Sequence, residues 1–212
     1  MANKEEVMRI TKLGDPSKPT GLEGSKMLHR MNESHYEVTG WALSHWSINS
    51  DDNVLDIGCG GGMTLQRMSK EIKDGHLTGV DYSKVSVEES TILNEDNIKN
   101  GKMNIIEGNV ESLPFKDNSF DKIITVESFY FWPNHKENLK EVFRVLNNDG
   151  TFMLVADIYN KEGLSKEILD NVKLFNLFNP TKEEFFELFN EAGFKDIKID
   201  TKDTWITVLG RK

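Results

Sequence analysis

Val54-Leu55-Asp56-Ile57-Gly58-Cys59-Gly60-Gly61-Gly62-Met63-Thr64 is the stretch that decides how this chain is read. Apolar residues flank one acid, a glycine run follows, and a mixed polar and apolar pattern resumes at Thr64, the order of a strand, a tight turn and a helix. Gly58, Gly60, Gly61 and Gly62 carry no Cβ, so the backbone can take positive φ and a ligand can come close to the main chain.

Two phosphate-binding patterns fail on spacing. A dinucleotide fingerprint wants a glycine five positions after its first, but that place is Met63 counting from Gly58 and Leu65 counting from Gly60. A P-loop ends in Gly-Lys-Ser/Thr, and no lysine follows these glycines. Asp56, just ahead of the turn, would repel a pyrophosphate and suits a cationic ligand.

Asp56-Ile57-Gly58-Cys59-Gly60-Gly61-Gly62 resembles the first motif of the class I S-adenosylmethionine-dependent methyltransferases, whose cofactor carries an ammonium and a sulfonium but no phosphate. The resemblance continues through Val80-Asp81, Leu113-Pro114-Phe115, Phe120-Asp121 and Arg144-Val145-Leu146, over roughly residues 50 to 157. It resembles the small-molecule branch that includes the ubiquinone and menaquinone biosynthesis methyltransferases.

Composition agrees with such an enzyme. The 212 residues are 37% hydrophobic and 29% charged, which fits one globular domain with a sizeable core. A net charge of -9 disfavours a broad phosphate-binding surface, so nucleic acid is not the expected substrate. No apolar run approaches the ~20 residues of a membrane span, and Met1 to Ile10 has no apolar signal core, so a cytoplasmic protein without a membrane partner is expected. Cys59 has no second cysteine to pair with, in keeping with a reducing compartment. In a crowded turn it reads as a small filler, with a nucleophile as the alternative.

Residues 1 to 24, with Gly14, Pro16, Pro19, Gly21 and Gly24, read as an irregular lead segment, and Lys26 to Trp46 as helix interrupted near Gly40. In similar enzymes the N-terminal helices roof the active site, which brings His35 and Tyr36 into consideration beside the plainer reading of a capping helix with surface histidines. After the glycine turn, Leu65, Met68 and Ile72 mark one helix face. A second strand, His76 to Val80, ends at Asp81, where a carboxylate accepts from ribose hydroxyls or, alternatively, caps the next helix. By resemblance Tyr82 lies against the adenine, the alternative being an exposed or core tyrosine. A helix over 84 to 100 stops at Asn100-Gly101, and Met103 to Glu107 is the third strand. Asn109 and Val110 follow at the adenine position, Asn109 standing where similar enzymes carry an aspartate.

Phe120 to Val126 is the most apolar strand and delivers Glu127-Ser128-Phe129-Tyr130-Phe131-Trp132-Pro133 to the carboxyl edge of the sheet, where ligands of parallel sheets bind. The aromatics read as the wall of an acceptor pocket, with Tyr36, Tyr130 and Trp132 as substrate contacts, or as plain core. His35, Glu127, Tyr130 and His135 are the candidate catalytic groups, and Glu127 also a candidate for the cofactor's cationic end. Asn134 with Glu137, and Thr181 with Glu184, read as capping boxes. Lys195 to Thr201 and Thr204 to Gly210 form a closing hairpin.

The whole implies an α/β fold: a doubly wound, Rossmann-like seven-stranded sheet with a C-terminal antiparallel hairpin. Its expected parts within one domain are a cap region (1–50), a cofactor-binding core (51–157), a lid-like helical insertion (158–180) and a closing helix and hairpin (181–212). S-adenosylmethionine is the expected cofactor. No metal is expected, because no His, Cys and carboxylate cluster shows ligand spacing. The expected partner is a small-molecule methyl acceptor, the expected state a monomer or homodimer. Two rival functions remain: a cofactor-binding regulatory or scaffold protein without turnover, and a nicotinamide-dependent oxidoreductase.

Overall fold

The computed structural model describes residues 4–212, with side chains from residue 6 onward, and differs from the sequence expectation first at its start. The lead segment is not irregular: α1 (Lys4–Gly14) and α2 (Gly21–Ser34) are regular helices joined by the proline-containing loop. Tertiary contacts explain this. Gly14 packs against Met27, where an added Cβ would come within 3.0 Å of the methionine's own, and Arg30 donates to Thr11 Oγ1 at 2.9 Å. The next break falls at His35, before α3 (Tyr36–Leu43), and not at Gly40. Gly40 stays helical and serves closeness instead, since a Cβ there would meet the Arg67 guanidinium at 2.6 Å.

The α/β core then runs β1 (Asn53–Ile57), α4 (Met63–Met68), β2 (His76–Asp81), α5 (Lys84–Leu93), α6 (Glu95–Lys99), β3 (Met103–Glu107), β4 (Phe120–Val126), α7 (His135–Val145) and β5 (Leu146–Ala156). It closes with α8 (Lys166–Leu174), α9 (Lys182–Ala192), β6 (Lys195–Lys202) and β7 (Trp205–Arg211). Seven strands form one sheet in the order β3-β2-β1-β4-β5-β7-β6, parallel except where β7 pairs antiparallel with β5 and β6. Strand order reverses between β1 and β4, so a crevice is expected at their carboxyl ends.

Both faces of the sheet are covered, and the two-residue period of a strand sorts the side chains. Leu55, Ile123 and Phe152 point into one core with Leu139 and Val142 of α7 and Phe185 and Phe189 of α9. Their neighbours Val54, Ile124 and Met153 point into the other, with Val38 of α3 and Leu65 and Met68 of α4. Phe152 and Phe189 stack at 5.3 Å, tying sheet to helix.

Local chemistry sets several helix ends. Ser83 Oγ accepts from the Ser86 N–H at the start of α5, and Thr181 with Glu184 completes the expected capping box of α9, which Gly193 ends at φ 103°. Such caps contribute ~1 kcal/mol each. The box expected at Asn134 does not form: its side chain makes no capping bond, and its own N–H donates to Asn138 Oδ1 at 3.1 Å. The expected helix over 84 to 100 is broken at Asn94, whose buried amide donates to the Ser90 carbonyl at 3.0 Å and to the Gly62 carbonyl at 3.1 Å. That residue therefore tethers the glycine turn. No helix among the described residues is long and apolar enough to cross a membrane.

Candidate active site

The carboxyl ends of β1, β2 and β4 open into a cavity of about 300 Å³, roofed by the loop at Pro16 to Pro19 and by residues 28–39 of α2 and α3. Its floor is the glycine turn. Gly58 and Cys59 donate their N–H groups to the Val80 carbonyl at 2.8 and 3.2 Å, and Gly62 donates to the Cys59 carbonyl at 2.9 Å. Gly58 has φ +72°, and a Cβ there would stand 2.4 Å from Ser128 Oγ. Glycine is required by conformation and by space at once. Ser128 is itself fixed by Thr125 Oγ1 at 2.6 Å, by the Ile57 carbonyl at 3.1 Å and by the Trp132 indole N–H at 3.2 Å, which locks the segment after β4 onto the turn.

Carboxylates stand at the strand ends. Asp56 is fully buried, its Oδ1 has no hydrogen-bond partner among the described residues, and burial, helped by the nearby Asp81 charge, pushes its pKa up to about 8. Asp81 accepts from the Gly60 N–H at 3.0 Å and from the Ser83 N–H at 2.9 Å. Burial raises its pKa, and those two backbone donors work against the rise. Asp81 thus pins the turn and the Ser83 that caps α5, and it also lines the cavity.

The remaining expected cofactor contacts, Cys59, Gly60, Tyr82, Asn109, Val110 and Glu127, also line the cavity; Gly62 shapes the turn just beneath it. Burial and the charges of Asp81 and Asp56 raise the Cys59 thiol well above its ordinary range, which suits a filler and not a nucleophile. Tyr82 is held at the rim, its hydroxyl donating to the Ser17 carbonyl. The Asn109 side chain is folded onto its own turn, with Oδ1 accepting from the Glu111 N–H at 3.0 Å and Nδ2 donating to Glu111 Oε2 at 2.9 Å.

At the other end, His35, Tyr36, Glu127 and Trp132 line the cavity as expected. Tyr130 and His135 do not. The Tyr130 hydroxyl lies behind the wall, 3.2 Å from Asp157 Oδ1 and 3.3 Å from the Ile158 carbonyl, and accepts from the Ile158 N–H at 3.2 Å. All four aromatics pack in or against one core, but only Phe131 and Trp132 reach the cavity, whereas Phe129 and Tyr130 do not. His135 stacks on Phe178 at 3.7 Å and bonds the Phe129 carbonyl at 3.0 Å. The segment 158–180 likewise contributes no residue to the cavity lining, because Phe178 packs against Phe129 and His135 on the far side of that wall.

Glu127 is held at φ 56°, its carboxylate accepting from the Asp157 N–H. Burial and the Asp157 charge push its pKa well above the usual carboxylate range, while burial lowers that of His35 against the pull of Asp157. Asp157, absent from the sequence expectation, is the missed residue here. The signal was available: it follows β5 at the edge where Asp56, Asp81 and Glu127 follow or end β1, β2 and β4. It also completes a group of side chains: His35, Glu127 and Asp157 bring one potential ligand atom each to within 4.8 Å of one another. No spacing along the chain announces that cluster, because the fold assembles it from three distant positions.

The profile of the methyltransferase domain matches residues 55–154. YrhH of Bacillus subtilis, whose name marks it as a candidate methyltransferase, is 32% identical over 165 residues, covering 78% of this chain and 81% of that protein. The chain belongs to the methyltransferase domain family. A 2-methyl-6-phytyl-1,4-hydroquinone methyltransferase of rice is 32% identical over 146 residues, covering 69% of this methyltransferase chain but 42% of its own, so the chain spans less than half of that relative. The fold is shared with phosphoethanolamine N-methyltransferase 2 of Haemonchus contortus, solved with S-adenosyl-L-methionine, at a TM-score of 0.79 over 96% of this chain and 60% of that one, with 13% identity.

Proposed function

We propose that this methyltransferase binds S-adenosylmethionine across the glycine turn and the end of β2, and passes its methyl group to a small neutral or cationic organic acceptor. The observation that carries the reading is the set of ionisable groups that line the cavity. Asp56, Asp81, Glu111 and Glu127 line it, together with no lysine or arginine among the described residues. A cationic cofactor fits such a lining, and a dinucleotide or nucleoside triphosphate does not.

Asp56, with a buried oxygen that has no partner among the described residues, suits the cofactor's ammonium. Asp81 keeps acceptor capacity for the ribose hydroxyls, and Tyr82, Asn109 and Val110 suit the adenine. When bound, the cofactor supplies an already activated methyl electrophile, so the chain's own task is to align a nucleophile and keep water out. Residues 28–39 exclude water from above, and Tyr36, Phe131 and Trp132 offer an apolar wall to the acceptor. His35, kept neutral by burial, is placed to take a proton from a hydroxyl acceptor. The same lining disfavours phosphorylated and carboxylated acceptors; hydroquinones, phenols, thiols and amines form the panel to screen.

The test is thermal unfolding with S-adenosylhomocysteine, NAD and ATP. At about 100-fold excess over its dissociation constant, the homocysteine product should add about 2.7 kcal/mol, or roughly 5 to 10 °C. A comparable shift with NAD and none with the homocysteine product would overturn the proposal in favour of an oxidoreductase. A shift without turnover across the whole panel would favour a binding protein.

A further inference from the structure

The cavity has an end that the cofactor contacts above do not use. His35 sits at the junction of α2 and α3, Glu127 directly after β4 and Asp157 directly after β5. β4 and β5 are adjacent and parallel with Val126 beside Val155, so their following residues emerge side by side, and the Glu127 N–H donates to the Val155 carbonyl at 3.0 Å. We propose that His35, Glu127 and Asp157 form a binding site for one first-row divalent cation, open toward the acceptor end of the cavity.

Geometry supports it first. The three ligand atoms lie within 4.8 Å of one another, and donors held at about 2.0 to 2.2 Å around a single ion stand roughly 3 to 4.4 Å apart, so only a small contraction is needed. Charge supports it next. Two carboxylates meet in a largely buried place, and neither forms an ion pair with a lysine or arginine among the described residues. A doubly charged ion would balance them. The imidazole nitrogens of His35 have no hydrogen-bond partner among the described residues, leaving a ring that lines the cavity with a free lone pair.

The supporting shell is in place as well. Ligating carboxylates are commonly oriented by hydrogen bonds from behind. Here the Asp157 N–H holds Glu127 Oε1, and the Tyr130 hydroxyl lies 3.2 Å from Asp157 Oδ1. His35 and Glu127 line the cavity while Asp157 stands behind them, so three protein ligands would leave the cavity face of the ion open. That is the arrangement of a catalytic site and not of a closed structural one. One imidazole with two carboxylates and no thiolate favours Mn²⁺, Fe²⁺ or Zn²⁺ over Mg²⁺ and Ca²⁺, which prefer oxygen alone. The site stands on these side chains; that an acceptor hydroxyl would complete it and become more acidic there, the ion taking over the part given to metal-free His35 above, rests on the methyl transfer proposed above. Asp56 remains free for the cofactor's ammonium.

The experiment is a titration of the chelator-treated full chain with Mn²⁺, free ion being followed by electron paramagnetic resonance. One saturable site per chain is expected, displaced by Zn²⁺ and untouched by a large excess of Mg²⁺. Asp157→Asn and His35→Ala should each weaken it at least ~10-fold, since even outer-shell losses cost that much. Both variants should keep the stabilisation by S-adenosylhomocysteine, which confirms that they fold. Absence of a saturable site, a set of weak sites that Mg²⁺ displaces, or a site unchanged in both variants would each overturn the inference. Loss of the homocysteine-product effect in the parent chain, with Mn²⁺ binding intact, would instead leave the cation site standing and remove the methyl-transfer proposal.

Discussion

The two ends of the cavity are built by different means. The end formed by residues 56–62 and 80–83 is held by main-chain bonds: Gly58 and Cys59 to the Val80 carbonyl, and Gly60 and Ser83 to Asp81. The other end is a meeting of side chains from residues 31–36, 126–128 and 131–133, with Asp157 behind them, brought together only when the helices close over the sheet. The first end tolerates little, because its geometry is the backbone itself. The second can exchange side chains while the floor stays as it is, which is how one fold serves many acceptors.

That contrast is breakable by substitution, and the largest effect belongs to the rigid end. Gly58→Ala places a Cβ against Ser128 at φ +72°. A left-handed residue costs roughly 1 to 2 kcal/mol and the displaced neighbour about 1 to 3 more, so denaturant unfolding should show a loss of about 2 to 5 kcal/mol and no response to S-adenosylhomocysteine. Unchanged stability and binding would mean that the turn is as adaptable as the acceptor end.

Next in size is the effect of pH on Asp56. Its folded pKa of about 8 exceeds the ordinary 3.8, so the native state holds the extra proton between those values. This contribution to stability is therefore greatest at the acid side of that window, falls as pH rises through it and levels off above about pH 8. Affinity for a cationic ligand should run the opposite way, rising up to ~10-fold per pH unit until about pH 8. Asp81 and Glu127 titrate upward too, so the comparison with Asp56→Asn isolates the one group. Equal calorimetric profiles for parent and variant would take Asp56 out of the ammonium role.

Asp81→Ala should weaken binding of the homocysteine product about 10-fold or more, because charge-assisted bonds contribute about 1.5 to 3 kcal/mol each. Asn109→Ala should cost less, as that side chain mainly closes its own turn on Glu111. A reversed order by calorimetry would move the adenine side, and not the ribose side, to the centre of recognition.

The smallest expected effect on binding is that of Tyr130→Phe. Affinity for the homocysteine product should not change, since the hydroxyl lies behind the wall. Stability should fall by about 1 to 3 kcal/mol, as the Ile158 N–H loses its partner, which is roughly 3 to 10 °C. A large change in affinity with unchanged melting would return Tyr130 to the cavity.

The same division explains what could be read from the chain alone. β3 and β4 fall where the apolar runs place them, and the glycine turn, Asp81 and the α9 capping box are local patterns with local causes. The helix α1 was hidden because its order comes from packing on α2 and because Gly14, Pro16 and Pro19 sit beside it. Tyr130 and Trp132 are two residues apart and both buried in one core, yet across the 3-10 turn over Phe129–Phe131 only Trp132 also reaches the cavity, a distinction that composition does not carry. Asp157 is a single acid after a strand, and its meaning depends on His35 and Glu127 arriving from elsewhere.

Cys59 gives this arrangement a clock. It is the chain's one cysteine, it is 7% exposed, and it sits in the floor beneath the roof helices with its sulfur 3.9 Å from Ser90 Oγ. Its residue borders the cavity and its thiol is held well above the ordinary range, so alkylation is slow and quickens with any opening that exposes and solvates the sulfur. The unmodified chain thus carries a built-in reporter for how often its cavity breathes, and an occupant resting on the glycine turn should slow the count.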